Sequence, residues 1–193
     1  MYTDLKKFLL QYAEFSDDEL EDISKRFKIK NLKKDDFLLT QGGICKDLLF
    51  VQSGCLRLYY LKDDIEVSVW FSFEHSSAIE VYSFISEQPS NYFIQAIEDS
   101  QIYALSKKEL HKLEMLYPKI QKMMKNFWED VVLNLINRFT ALQTDSAEKR
   151  YLDLLNKPAY MKSIPLKYLA SFIGVTPTSL SRIRKQIQKN KLS

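Results

Sequence analysis

The sequence predicts an α+β protein: an N-terminal antiparallel β-barrel, a long connecting helix and a C-terminal helical helix-turn-helix domain. Three observations carry this. Short runs rich in β-formers recur between residues 28 and 106, with turn residues between them and no long helix intervening, which excludes a parallel sheet. From Pro118 to Leu142 apolar residues recur three or four apart, the period of one helix. Residues 164–189 read as two helices around Gly174, within a segment whose charge has a single sign.

Residues 4–27 alternate short apolar pairs with charges at helical spacing, and Ser16-Asp17-Asp18-Glu19 has the form of a capping box. The strand candidates follow: Ile29-Lys30-Asn31-Leu32, Phe37-Leu38-Leu39-Thr40, Leu48-Leu49-Phe50-Val51, Leu56-Arg57-Leu58-Tyr59-Tyr60 and Val67-Ser68-Val69-Trp70-Phe71. Turn signals such as Gln41-Gly42-Gly43, Gln52-Ser53-Gly54 and Lys62-Asp63-Asp64 separate them. Two more strands are expected around 92–97 and 101–106.

Pro118 suits the first turn of a helix, where a missing N–H costs nothing. The stripe Ile120, Met123, Met124, Phe127, Val131, Leu135, Phe139 and Leu142 then runs down that helix, widened by Trp128, Val132 and Ile136. A face that broad can meet the barrel and a second copy of the same helix. Met124, Phe127, Val131 and Leu135 are the expected centre of the helix–helix contact. Gln143-Thr144-Asp145-Ser146 breaks the pattern, and a short helix over about 147–156 is expected to end at Lys157-Pro158-Ala159.

The chain is 193 residues long, 46% hydrophobic and 27% charged, an ordinary globular composition. Its net charge of +3 is unevenly placed: residues 154–193 carry eight bases and no acid, leaving −5 on residues 1–153. A split of this kind points to a polyanionic partner at one end of the molecule. No apolar run approaches bilayer length and the N-terminus lacks a secretory signal, so a cytoplasmic protein is expected. Cys45 and Cys55 read as free thiols in a reducing compartment. No Gly-rich phosphate loop, metal-ligand spacing or nucleophile–base set is present, so neither enzymatic activity nor a cofactor is expected.

Within the basic segment, Leu166, Leu169, Ala170 and Ile173 line the inner face of the first helix. Gly174 suits a sharp left-handed turn. Thr176 caps the second helix and Pro177 occupies its first position. At 100° per residue, Leu180, Ile183 and Ile187 form a narrow buried flank. Thr178, Ser181, Arg182, Lys185 and Lys189 face the opposite way. Hydroxyls and cations along one side of a helix suit a DNA major groove, where Arg reads guanine and Lys neutralises phosphate. A membrane helix would need a wide face of large apolar residues; this flank is narrow, and no membrane contact is expected. The competing reading is a ligand-binding or protein-interaction module whose helix-turn-helix contacts protein rather than DNA.

The order of parts resembles the CRP/FNR family of bacterial transcription regulators. The resemblance covers roughly residues 15–189 and is carried by the run 32–43 ending in Gln41-Gly42-Gly43, by Leu48 to Leu58 with Gly54 at its turn, and by the helix-turn-helix. It implies a jelly-roll barrel of the cyclic-nucleotide-binding type over residues 1–115, a dimerisation helix over 116–143 and a DNA-binding domain over 144–193. It also implies a homodimer on double-stranded DNA, with a small-molecule effector and RNA polymerase as further candidate partners. Matched by position, Thr178 replaces the family's base-reading Glu, Ser179 matches a phosphate-contacting hydroxyl and Arg182 matches the base-reading Arg. In the effector pocket, Glu80 falls on the ribose-binding Glu, Ile79 stands where Gly is usual, and Ser90, followed by Asn91, stands where the phosphate-neutralising Arg is usual. A buried phosphate without a cation is strongly disfavoured, so tight cyclic AMP binding is not expected. No residues remain after the second helix for the two-stranded wing of many such regulators, and fewer phosphate contacts are expected.

Overall fold

The computed structural model describes residues 2–190; Lys191, one of the eight bases, lies outside the described residues. Two helices, α1 (Thr3–Leu10) and α2 (Asp17–Lys25), precede the barrel. The capping box forms: Ser16 Oγ accepts from the Glu19 N–H, and the Glu19 carboxylate accepts from the Ser16 N–H. The barrel strands are β1 (Lys28–Leu32), β2 (Phe37–Leu39), β3 (Asp47–Ser53), β4 (Cys55–Lys62), β5 (Ile65–Phe73), β6 (Ser77–Ala78), β7 (Tyr92–Ala96) and β8 (Ser100–Ser106). They pair antiparallel in two four-stranded sheets, ordered β1-β8-β3-β6 and β2-β7-β4-β5. A short helix, α3 (Val81–Ser86), sits between β6 and β7, where the sequence gives no helical period.

The turn between β3 and β4 depends on Gly54. Its φ is +89°, and a Cβ there would approach the Asp99 carbonyl oxygen to 2.7 Å. Gly54→Ala is therefore expected to destabilise the fold by roughly 1–3 kcal/mol, measured as a lower urea midpoint. An unchanged midpoint would show that the turn relaxes freely.

After β8 come α4 (Lys107–Leu116) and α5 (Pro118–Thr144), which begins with Pro118 in its first turn. Then follow α6 (Ala147–Leu155), α7 (Pro158–Ser163), α8 (Leu166–Phe172) and α9 (Pro177–Asn190). Pro158 does more than end α6: it opens α7, because a residue with fixed φ and no N–H fits a helix start as well as a helix stop.

Two apolar clusters organise the chain. The first fills the space between the sheets and takes in α1, α2, α4 and the first half of α5. The second joins the C-terminal helices to Cys55, Phe71 and Ile97 of the barrel. Phe71 pairs in register with Arg57, so both share the outer face of the β2-β7-β4-β5 sheet. The helix-turn-helix therefore rests on the barrel along β5, an edge strand. Covering an edge in this way satisfies backbone groups that would otherwise invite foreign strands.

Candidate nucleic-acid interface and effector cavity

The turn between α8 and α9 is a Schellman motif. The Gly174 N–H donates to Ser171 O, the Val175 N–H to Ala170 O, and Gly174 has φ +77°. Thr176 then caps α9, its Oγ1 accepting from the Ser179 N–H at 3.2 Å. Leu180 and Ile187 are 0% and 7% exposed and hold α9 against α8 and α6 side chains. On the other flank Thr176, Thr178, Arg182, Lys185 and Lys189 are exposed, and Ser179 and Ser181 half-exposed. The Ser181 hydroxyl donates to Pro177 O within the helix and keeps its lone pairs for a partner. Gln186 is also exposed beside Arg182, an outward amide with neither the charge nor the hydroxyl that marks this flank in the sequence. The result is a rigid rod with one polar, cationic flank turned to solvent.

A cavity of about 690 Å³ opens inside the barrel. Leu58, Val69 and Trp70 form its wall on the β4–β5 side, and Ile79, Val81 and Ile85 form the wall around α3. Phe127, Val131 and Leu135 close it from α5, with Asp130 and Asn134 at the exposed mouth. Among the described residues no lysine, arginine or histidine lines it. Glu80 lines the cavity, but its carboxylate is committed elsewhere. One oxygen accepts from the Tyr82 N–H and the other from the Ser83 N–H, each at 3.0 Å, so Glu80 is the N-cap of α3. The position expected to bind a ribose is thus the cap of this short helix.

Ser90 and Asn91 do not line the cavity. Ser90 is held by reciprocal backbone bonds, donating to Gly43 O and accepting from the Gly42 N–H at 2.8 Å, and its hydroxyl accepts from the Tyr92 N–H. Asn91 is exposed. Two phenols report the field near the carboxylates. Burial, and then Asp130, push Tyr12 up to about 12. Burial, and then Glu80, raise Tyr92.

The second half of α5 leaves the barrel with its apolar side uncovered. Val132, Leu135, Ile136, Phe139 and Leu142 are 41–62% exposed and lie within an arc of about 120° at helical geometry. Met124 and Phe127, expected at the helix–helix contact, are 5% and 2% exposed and belong to the barrel core. Val131 is half-buried beside them. Of the four expected contact residues, Leu135 alone lies on the uncovered face.

Where the helix-turn-helix meets β5, the strand carries a bulge: Leu58 pairs with Trp70 and Tyr59 with Ser68, leaving Val69 extra. The freed backbone groups find partners from outside the sheet. Ser171 Oγ accepts from the Ser68 N–H at 2.8 Å and donates to Glu66 O at 3.0 Å. Arg138 donates from Nε to Val69 O and from Nη2 to Phe172 O, and its guanidinium lies 3.6 Å from the centre of the Phe172 ring. Burial lowers its pKa to about 10. Arg57, fully buried, lies between the rings of Tyr59 and Tyr168.

The architecture is thus a double antiparallel sheet around a cavity, joined by a long helix to a helix-turn-helix. Residues 29–116 match the cyclic nucleotide-binding domain family. The chain is 22% identical over 187 residues to the transcriptional activator protein Anr of Pseudomonas protegens, covering 91% of this chain and 75% of that one. Among solved structures it superposes on CooA from Carboxydothermus hydrogenoformans with a TM-score of 0.69 at 19% identity, covering 94% of this chain and 83% of that one. It superposes equally, with a TM-score of 0.69 at 17% identity, on a CRP/FNR-family regulator from Eubacterium rectale, covering 91% and 85%. Residues 29–116 are thus similar to a cyclic nucleotide-binding domain, and the chain has the fold of CRP/FNR-type regulators. Among the described residues no helix is long and apolar enough to cross a membrane.

Proposed function

We propose that the protein is a homodimeric, sequence-specific DNA-binding transcription regulator. In this reading residues 1–115 sense an effector, 116–143 pair two copies, and 144–193 read double-stranded DNA. The observation that carries it is the outward flank of α9: Thr178, Arg182 and Lys185 are exposed, while the aliphatic flank is used up in packing against the chain's own helices. A helix so held can enter a major groove without rearrangement, with Arg182 placed to bridge a guanine and Lys185 a phosphate.

Selection of bound sequences from random duplex DNA tests this directly. The expected result is an inverted repeat whose half-sites lie about one helical turn apart. On that site Arg182→Ala should weaken binding by about 1–3 kcal/mol and relax one base position, whereas Lys185→Ala should weaken all sequences alike and reduce the salt slope by about 1. Recovery of no sequence, with no affinity that falls as salt rises, would favour a helix-turn-helix that contacts protein.

The cavity is read as the effector site, and cyclic AMP as a poor fit for it. Among the described residues nothing cationic lines it, and the backbone donors at the start of α3 already serve Glu80. Titration calorimetry with millimolar cyclic AMP should show no saturable heat; a micromolar dissociation constant would overturn this part of the proposal.

A further inference from the structure

We infer that the barrel cavity accepts an uncharged, largely apolar small molecule and discriminates against anions of the same shape. The inference rests on the reading of the cavity as an effector site and adds the chemical class of what enters it. Volume comes first. At about 690 Å³ the cavity falls within the range that encloses most of a drug-sized ligand. Its wall is aliphatic and aromatic on three sides: Leu58 and Trp70 from the sheet, Ile79 and Ile85 around α3, and Phe127 and Leu135 from α5.

Charge then decides the class. An anion brought into the cavity would lose its hydration with no lysine, arginine or histidine among the described lining residues to replace it. It would also meet two carboxylates, Glu80 in the wall and Asp130 at the mouth. A cation fares little better. The Glu80 carboxylate is a counter-charge, but each of its oxygens already accepts a backbone N–H, and Asp130 is solvent-exposed and screened, so neither replaces a cation's full hydration shell. An uncharged apolar molecule has no such penalty, and the polar atoms at hand, the hydroxyls of Ser72, Ser77 and Tyr92, can orient it through neutral hydrogen bonds. The upward shifts of the Tyr12 and Tyr92 phenols agree with a site that resists negative charge.

A matched pair of probes tests this with the full chain: N-phenyl-1-naphthylamine, which is neutral, and 8-anilino-1-naphthalenesulfonate, the same skeleton with a sulfonate. Fluorescence titration should show saturable binding of the neutral dye, with the sulfonate at least ten-fold weaker. Asn134→Arg, an exposed position at the cavity mouth, places a cation there without touching the core. It should narrow or reverse the preference by at least five-fold. Ser77→Trp should abolish binding of the neutral dye by filling the cavity, with circular dichroism reporting that the fold is kept. Equal affinity of the two dyes for the unaltered protein would overturn the inference. So would an unchanged ratio in Asn134→Arg, because the dyes would then be sitting on the uncovered face of α5. The DNA-selection experiment is independent: a protein that discriminates the dyes yet selects no DNA keeps the ligand class and loses the regulator reading, and the reverse outcome does the opposite.

Discussion

A double variant, Ile136→Glu with Phe139→Glu, is expected to run as a monomer in size-exclusion chromatography with light scattering at concentrations where the unaltered protein is expected to run as the proposed dimer. Both residues are more than half exposed in the single chain, at 54% and 62%, at the middle of the apolar arc on the second half of α5. Burying each such side chain contributes about 1.5–3 kcal/mol, and the two-fold pairing of a dimer counts each twice. Replacing them removes that gain and sets four carboxylates in an apolar seam, where each resists burial. Even half of the lost burial, at about 1.4 kcal/mol per ten-fold, moves the dissociation constant by two orders of magnitude or more. The fold itself should be indifferent, because neither side chain belongs to an internal cluster. The urea midpoint of the monomer is therefore the control. Phe127→Glu should behave in the opposite way and unfold the chain, since Phe127 is 2% exposed in the barrel core. A double variant that stays dimeric would sink the assignment of this face.

The contrast between Phe127 and Phe139 shows how far the sequence could be read. A stripe at period 3.6 establishes a helix and the direction of its apolar side, and α5 spans Pro118–Thr144 as that stripe requires. The stripe is the same whether its neighbour is the barrel or another chain, so the point where one cover ends and the other begins was not legible. The helix-turn-helix was legible almost residue by residue, because caps, a left-handed glycine and a narrow aliphatic flank are local requirements. The cavity was not. Glu80 has the residue type a ribose would want, yet it caps the six-residue helix after it, and Val81-Tyr82-Ser83-Phe84-Ile85-Ser86 carries no helical signal that would have announced this. Ser90 enters only by its match to a position of the resembling family, whereas its backbone pairs with Gly42 and Gly43, nearly fifty positions away. The cover on the outer sheet face left half a trace. β5 carries large apolar residues on both sides, Val69 and Trp70 toward the cavity and Phe71 and Phe73 away from it. A strand apolar on both faces is covered on both. That the second cover is the helix-turn-helix is written only in contacts such as Ser68 with Ser171, more than a hundred residues apart.

Those contacts lead to the second large effect: Glu66→Leu is expected to destabilise the protein far more than Arg57→Met. Arg57 is 0% exposed, with its guanidinium between the Tyr59 and Tyr168 rings at 4.2 and 3.7 Å. Its Nη1 donates to the Glu66 carboxylate at 2.7 Å and its Nε to Ser68 Oγ at 2.9 Å. Nη2 is buried without a hydrogen-bond partner among the described residues. Removing Glu66 strands a buried cation, which in fully buried pairs costs about 3–5 kcal/mol. The Glu66 side chain is 41% exposed, so water screens part of the pair and the lower end, about 3 kcal/mol, applies. Arg57→Met removes the charge itself. Glu66 then turns to solvent, the unsatisfied Nη2 disappears, and a flexible apolar chain refills the slot between the tyrosines, so the net cost should be within about 1 kcal/mol. For a chain of this size the larger loss lowers Tm by roughly 6–12 °C. The sharper measurement is the cycle: adding Arg57→Met to Glu66→Leu should restore most of the stability, because no stranded charge remains. Should Arg57→Met prove as damaging as Glu66→Leu, the guanidinium would be holding Tyr168, and with it α8, by stacking rather than through its charge. The barrel and the helix-turn-helix would then be joined chiefly by the Ser171 and Arg138 bonds to the β5 bulge.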